Sequence, residues 1–125
     1  MVIGTGIDVM ALNDMERELA RGPWTAADGI FRESELRQCR HGGSRARSLS
    51  ACYVAKEAAA KALNLHVSDL GVFREIEVIN VTHDHIKLSF HGRAQEQFER
   101  LGATRVLTSV HADRHLAAAM VILEK

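Results

Sequence analysis

Ser50-Ala51-Cys52-Tyr53-Val54-Ala55-Lys56-Glu57-Ala58-Ala59-Ala60-Lys61-Ala62-Leu63 contains no Gly or Pro and is rich in alanine, a composition that predicts a helix. Leu49, Tyr53, Ala60 and Leu63 recur at three-, four- and seven-residue spacings, which predicts one apolar stripe along it. Glu57 and Lys61 lie four apart, so they project from one side of the helix a turn from each other. An isolated pair of this kind is ordinarily a surface ion pair. Here small alanines flank it and leave room for another group to approach the backbone.

Upstream, Val2-Ile3-Gly4-Thr5-Gly6-Ile7-Asp8-Val9 predicts a strand whose two glycines admit the close approach of another backbone or a ligand. It lacks the third glycine of a dinucleotide fingerprint. Leu12, Met15 and Leu19 predict a helix over 11–21 that Gly22-Pro23 ends, with Glu16, Arg17, Glu18 and Arg21 on its other side. A weaker helix is expected over 25–30, and another from Phe31 to near Gly42-Gly43. Ser44 is placed to cap the long helix and Asn64 to end it in a left-handed conformation.

Downstream the period changes from 3.6 to 2. Strands are expected at 72–81 and 86–90, joined by a turn at Thr82-His83-Asp84-His85 into a hairpin. Ala94, Phe98 and Leu101 mark a short amphipathic helix closed by Gly102. Strands at 105–111 and 116–123 follow. This order predicts an α+β fold, an antiparallel sheet with the long helix packed on one face. Leu116-Ala117-Ala118-Ala119-Met120-Val121-Ile122-Leu123 is apolar at nearly every position, so both of its faces need cover. A second subunit is the expected cover.

The chain has 125 residues, enough for one domain (1–125) with a real core. Lys plus Arg and Asp plus Glu both number 16, a balance that argues against a protein wrapping nucleic acid electrostatically. No apolar run approaches the roughly 18 residues of a membrane span, and Met1-Val2-Ile3-Gly4 lacks the features of a signal peptide. Cys39 and Cys52 have no metal-ligand spacing and read as reduced cytosolic thiols, so a cytoplasmic location is expected. His111-x-Asp113-x-His115 and His83-x-His85 lack further ligands and read by default as solvated turn histidines, except that His111 ends a strand just after Ser109, where a polar group can face a pocket.

Asp8 and Glu57 are the carboxylates that could share a hard cation. Mg²⁺ commonly takes one or two protein carboxylates together with substrate phosphates and water. Lys61 would face the same phosphates. No spacing rule forces Asp8 beside Glu57.

Gly4-Thr5-Gly6-Ile7-Asp8-Val9, Phe31-Arg32-Glu33-Ser34-Glu35-Leu36 and Ala55-Lys56-Glu57-Ala58-Ala59-Ala60-Lys61-Ala62 occur in that order. Glu75-Ile76-Glu77-Val78, Thr108-Ser109-Val110-His111 and the alanine-rich last strand follow. Together they resemble the holo-acyl-carrier-protein synthase family, the small trimeric 4′-phosphopantetheinyl transferases. The resemblance implies transfer of the phosphopantetheine arm of coenzyme A to a serine of an apo acyl carrier protein, with release of adenosine 3′,5′-bisphosphate. It implies Mg²⁺ held by Asp8 and Glu57. Lys61 would contact the pyrophosphate and help deprotonate the serine, directly or through water. Lys56, Lys61, Ser109 and His111 would line the coenzyme A site, and the active sites would lie between subunits of a homotrimer. The carrier would dock on the helix bearing Arg17 and Arg21, since carriers are usually acidic.

The chain departs from the family pattern at several places. Cys52 replaces a frequent arginine, with Tyr53 at the aromatic position after it. Asp14 replaces a basic residue, Asn64-Leu65-His66 a Gly-Thr-Gly turn, and His83-Asp84-His85 a Gly-x-Pro turn. These departures motivate an alternative, a non-catalytic protein of the same fold that binds coenzyme A or a carrier. They also leave open a role in fatty acid, polyketide or other secondary biosynthesis.

Overall fold

The computed structural model describes residues 1–22, 29–39, 44–66, 71–79 and 85–125. Its centre is the long helix, here α3 (Arg45–Ala62). Extended Ser44 accepts the Arg47 amide on its hydroxyl at 3.3 Å, satisfying one of the donors that a helix start leaves open. At the other end Asn64 has φ 56°. The Leu65 amide reaches the Ala60 carbonyl at 2.9 Å and the Asn64 amide the Lys61 carbonyl at 3.1 Å, the paired bonds of a Schellman ending.

The expected single stripe is not what α3 presents. Leu49, Ala51, Cys52, Val54, Ala55, Ala58, Ala59 and Ala60 are all fully buried, so the helix is covered nearly all round. Strands β1 (Val2–Ala11), β2 (Ile76–Ile79), β4 (Arg105–Ala112) and β5 (Leu116–Glu124) and helices α1 (Leu12–Ala20) and α4 (Gly71–Glu75) pack against it. Tyr53, expected in the stripe, is only half-buried and belongs with Glu57 and Lys61 on the side that stays open.

Strands β1 (Val2–Ala11), β5 (Leu116–Glu124) and β4 (Arg105–Ala112) form an antiparallel sheet in the order β1-β5-β4. The register sets Asp8 beside Ala119, Ile7 beside Met120, Ser109 beside Met120 and His111 beside Ala118. The glycines of β1 explain how it meets α3. A methyl group at Gly6 would overlap the Ala58 carbonyl oxygen, and one at Gly4 the Ala62 carbonyl oxygen. Strand and helix therefore approach backbone to backbone, as the sequence predicts. Inward-facing Ala117, Ala119, Val121 and Leu123 of β5 are buried. On the outer face Ile7, Val9, Leu107, Leu116 and Met120 remain exposed.

Helix α1 (Leu12–Ala20) lies where expected and buries Leu12 and Met15. Residues 25–28 of the weaker helix lie outside the described residues, and Gly29-Ile30 form a bend. The helix expected from Phe31 is α2 (Glu33–Gln38), with Cys39 as its cap; residues 40–43 fall outside the described residues. The strand expected at 72–81 begins later. Gly71–Glu75 is a short helix, α4, and strand β2 is Ile76–Ile79. Alternation through Val72, Ile76 and Val78 imitated a longer strand. Tertiary contacts hold the turn instead, through buried Val72 and Phe73 and the bond from Lys56 to the Phe73 carbonyl. Strand β3 (Lys87–Phe90) pairs antiparallel with β2 in a separate two-stranded sheet. Residues 82–84 of the expected turn lie outside the described residues. Helix α5 (Gly92–Arg100) closes at Gly102, whose φ is 77°.

Candidate active site

Tyr53, Glu57 and Lys61 follow one another at four-residue intervals along α3 and so line one side of it. Asp8 comes from β1, on the same strand face as Gly4 and Gly6, and is brought to this side by the close strand–helix contact those glycines permit. Lys61 Nζ donates to Asp8 Oδ1 at 3.2 Å and to the Ile7 carbonyl at 3.0 Å. The Glu57 carboxyl lies near enough to the Asp8 carboxyl and the Tyr53 hydroxyl for each to act on its protonation. Two sequence-predicted carboxylates, 49 positions apart by their numbers (57 − 8), thus meet, with the sequence-predicted lysine on one of them.

The electrostatics follow from this arrangement. Burial above all, and then the neighbouring Asp8 carboxyl, raises the Glu57 pKa above its ordinary value, while Tyr53 and Lys61 oppose the rise. Burial, followed by Glu57 and Asp8, pushes the Tyr53 hydroxyl upward, so it stays a donor. Two carboxyls in contact need a proton or a cation between them. The donor set therefore fits a hard divalent cation bound through two carboxylates. Among the described residues no group of three or more His, Cys, Asp or Glu is gathered to enclose a metal, so the remaining ligands of such an ion would be substrate phosphate and water.

Lys56 is not where its place in the motif implied. It is fully buried and paired with equally buried Glu35 at 2.7 Å. It also donates to the Ile30 carbonyl at 3.0 Å and the Phe73 carbonyl at 2.6 Å. Three donors meet three acceptors, and none is left for a ligand. The reason is helical geometry: Lys56 and Glu57 are adjacent, so about 100° of rotation separates them, and one enters the core while the other opens to the cleft. Glu35 completes this structure by accepting the Arg32 amide at 2.6 Å and the Val78 amide at 2.7 Å, joining α2 to β2. The Glu35–Lys56 pair was not legible in the sequence. The only signal was the helix-start spacing of a carboxylate three residues after Arg32.

Ser109 and His111 sit on the outer face of β4, since Val110 and Ala112 point inward and are buried. With Ile7, Ala118 and Met120 they line a groove of about 200 Å³ on that face. Asp8 lies on the opposite face, so a single chain does not bring these two residues to the carboxylate pair. The His111 ring is 3.0 Å from Asp113, whose other oxygen accepts the His115 and Leu116 amides; Asp113 and His115 lie in the turn between β4 and β5, while His111 belongs to β4.

On α1, Arg17 pairs with Asp14 at 2.6 Å and Arg21 with Glu18 at 3.0 Å, all at the surface. These side chains and Tyr53 border a cavity of about 430 Å³. Tyr53 is thus common to the carboxylate cluster and the cavity. Its role was missed in the sequence, although its spacing from Glu57 and Lys61 carried the signal.

A long helix laid against a glycine-bearing strand, with a carboxylate from each and a lysine on the pair, defines this chain as a 4′-phosphopantetheinyl transferase: the model of that superfamily matches residues 4–119. Within it, the chain belongs to the holo-[acyl-carrier-protein] synthases, which are enzymes. It is 37% identical over 123 residues to that synthase of Halorhodospira halophila, covering 98% of each chain. It is 31% identical over 125 residues to that of Geobacter sp., covering 100% of each. The crystal structure of the Neisseria meningitidis synthase superposes with a TM-score of 0.82 at 26% identity, over 100% of both chains. The Bacillus anthracis synthase, solved in complex with CoA (3′,5′-ADP), has a TM-score of 0.75 at 26% identity, over 100% of this chain and 98% of that one. Among the described residues no helix is long and apolar enough to cross a membrane.

Proposed function

We propose that this domain moves the 4′-phosphopantetheine arm of coenzyme A onto a serine of an apo acyl carrier protein and releases adenosine 3′,5′-bisphosphate. The serine hydroxyl loses its proton to solvent and its oxygen bonds to the β-phosphorus. The bond from that phosphorus to the bridging oxygen breaks, and the bridging oxygen leaves with the adenosine bisphosphate. Asp8 and Glu57 hold Mg²⁺, which when bound neutralises charge developing on the phosphate oxygens. Lys61, half-exposed and already directed at Asp8, offers protons to the pyrophosphate as that charge grows. The protein does little covalent chemistry of its own; positioning and charge carry the rate. The observation that carries this reading is the contact between Asp8 and Glu57 with Lys61 on Asp8.

A second copy of the chain completes the site. Ile7 and Val9 are 58% and 62% exposed on the outer sheet face, which also exposes Leu107, Leu116 and Met120, and an exposed apolar patch of this kind favours an interface. Ser109 and His111 share that face with the groove. A trimer packed there covers it and turns Ser109 and His111 toward coenzyme A between subunits. The carrier docks at α1 near Arg17 and Arg21, beside the cavity that Tyr53 borders.

The test is the intact mass of an apo acyl carrier protein incubated with this protein, coenzyme A and Mg²⁺. One added phosphopantetheine, absent with chelator, is the expected result. No addition on any carrier, with coenzyme A bound, overturns it.

A further inference from the structure

Helix α1 turns one face to the core, where Leu12 and Met15 are buried. Asp14, Arg17, Glu18 and Arg21 follow one another at i, i+3, i+4 and i+7, so they form one stripe on the opposite side of the helix. Arg21 caps α1 and keeps right-handed helical angles, φ −75° and ψ −15°, so it continues the stripe. Read along the chain, the stripe alternates acid, base, acid, base. Each base is paired with the acid three residues before it, Arg17 with Asp14 at 2.6 Å and Arg21 with Glu18 at 3.0 Å, and all four side chains are between 43% and 75% exposed. The same four border the cavity of about 430 Å³, which Met10, Ile30 and Tyr53 also line. Tyr53 stands one turn of α3 before Glu57, so a carrier that brings a serine to Glu57 lays its surrounding surface against this stripe.

We infer that α1 selects carriers of mixed charge: the stripe Asp14-Arg17-Glu18-Arg21 takes a carrier surface on which basic side chains stand among the acids, and disfavours a uniformly acidic one. The selection rests on carrier docking at α1, proposed above. An all-acid surface reaches Arg17 and Arg21 only by drawing them off Asp14 and Glu18, and those two carboxylates are then left facing like charge. Like charges set against each other suppress a wrong partner. A surface with bases among its acids exchanges all four partners together and leaves no charge of the stripe unmatched. Exposed Glu16 gives α1 three acids against two bases, so the helix offers an all-acid carrier no attraction at long range.

The probes are an apo acyl carrier protein whose surface around the modified serine carries only acids, and a set of its variants with one of those acids changed to lysine. Wild type is compared with Asp14→Asn combined with Glu18→Gln. Binding is measured by calorimetry in chelator, so that no group moves, and transfer by intact mass with coenzyme A and Mg²⁺. Wild type should bind at least one lysine carrier about two- to fivefold more tightly than the parent carrier, the size of one exposed pair. The double variant should bind the parent about two- to tenfold more tightly than wild type does, and should gain nothing from the lysine. Both differences should shrink as salt rises. If no lysine carrier binds wild type more tightly than the parent, or if both enzymes rank the carriers alike, the selection is overturned. The wild-type ranking needs no variant of this chain to fold. Transfer without a lysine preference overturns the selection and leaves the transfer reading standing. A lysine preference with no phosphopantetheine added to any carrier does the reverse.

Discussion

Two lysines of the same helix, five residues apart, have opposite environments. Lys56 and its partner Glu35 are both 0% exposed, whereas Lys61 is 47% exposed and its partner Asp8 14%. The first pair has every donor matched. The second stands at the open side of α3, and its carboxylate also lies beside Glu57. Neither residue type nor nominal pairing distinguishes a pair closed in the core from one open to a ligand. Solvent access and unspent hydrogen-bonding capacity do.

The sharpest way to break the first pair is Lys56→Met. It leaves the Glu35 carboxylate buried with only two backbone amides, and removal of one partner of a buried pair costs about 3–5 kcal/mol. Urea denaturation should show this loss. Combining it with Glu35→Gln should recover part of the stability, because the uncompensated charge goes while one amide acceptor stays. If the double variant is as unstable as the sum of the two single variants, the pair is not the unit described here.

In the second pair the effect falls on turnover. Glu57→Gln should lower transfer by about 10²- to 10³-fold, the size expected when a group acting on developing charge is removed. Lys61→Ala should act in the same direction. Both should melt near wild type in saturating Mg²⁺, because these side chains stand at the open side of α3. Steady-state assays alongside thermal melts check this, and normal turnover in Glu57→Gln removes it from the metal site.

The fold was readable in the sequence to the extent that periodicity and punctuation were local. Ser44, Asn64 and Gly102 marked ends that the structure keeps, and Gly4 and Gly6 announced a close neighbour that proved to be α3. The stripe through Leu49 and Tyr53 was misleading, because an alanine-rich helix buried nearly all round has no single apolar side to detect. At 72–75 the backbone is set by Lys56 and by stacking on Tyr53, contacts that no local window contains. At the site, Asp8, Glu57 and Lys61 were readable as residue types, and the family pattern joined them. The separation of Lys56 from Glu57 and the stacking of Tyr53 on Phe73 needed three dimensions.

A pH experiment sharpens the comparison further. The folded-state pKa of Glu57 lies above its ordinary value near 4.5, chiefly through burial. The native state therefore holds this proton more tightly than the unfolded chain does. The associated stability is fully present below the ordinary value and is lost as pH rises through the raised one. Metal-free wild type should accordingly lose melting temperature relative to Glu57→Gln across that window. Mg²⁺ at neutral pH should restore it in wild type only, because a ligand bound by the native state stabilises it by mass action. Parallel melting curves for the two proteins in chelator would show that the carboxyl contact is not held in solution.

The smallest effect concerns α1. Arg17 and Arg21 each lie against an acid of their own helix, and Glu16 adds a further negative charge. The helix is therefore not a plain positive patch, and carrier docking there requires each arginine to exchange an intramolecular partner for a carrier carboxylate. Exposed pairs are worth about 0.2–1 kcal/mol each, and the exchange returns only the difference. Arg17→Glu with Arg21→Glu should therefore raise the carrier KM by about two- to fivefold and leave the KM for coenzyme A unchanged. Because exposed charges are screened within about 10 Å at 0.1 M salt, the variant and wild type should converge as salt is raised. A carrier KM that does not change, or a change that salt does not remove, moves docking off this face and leaves the arginines as partners of Asp14 and Glu18 alone.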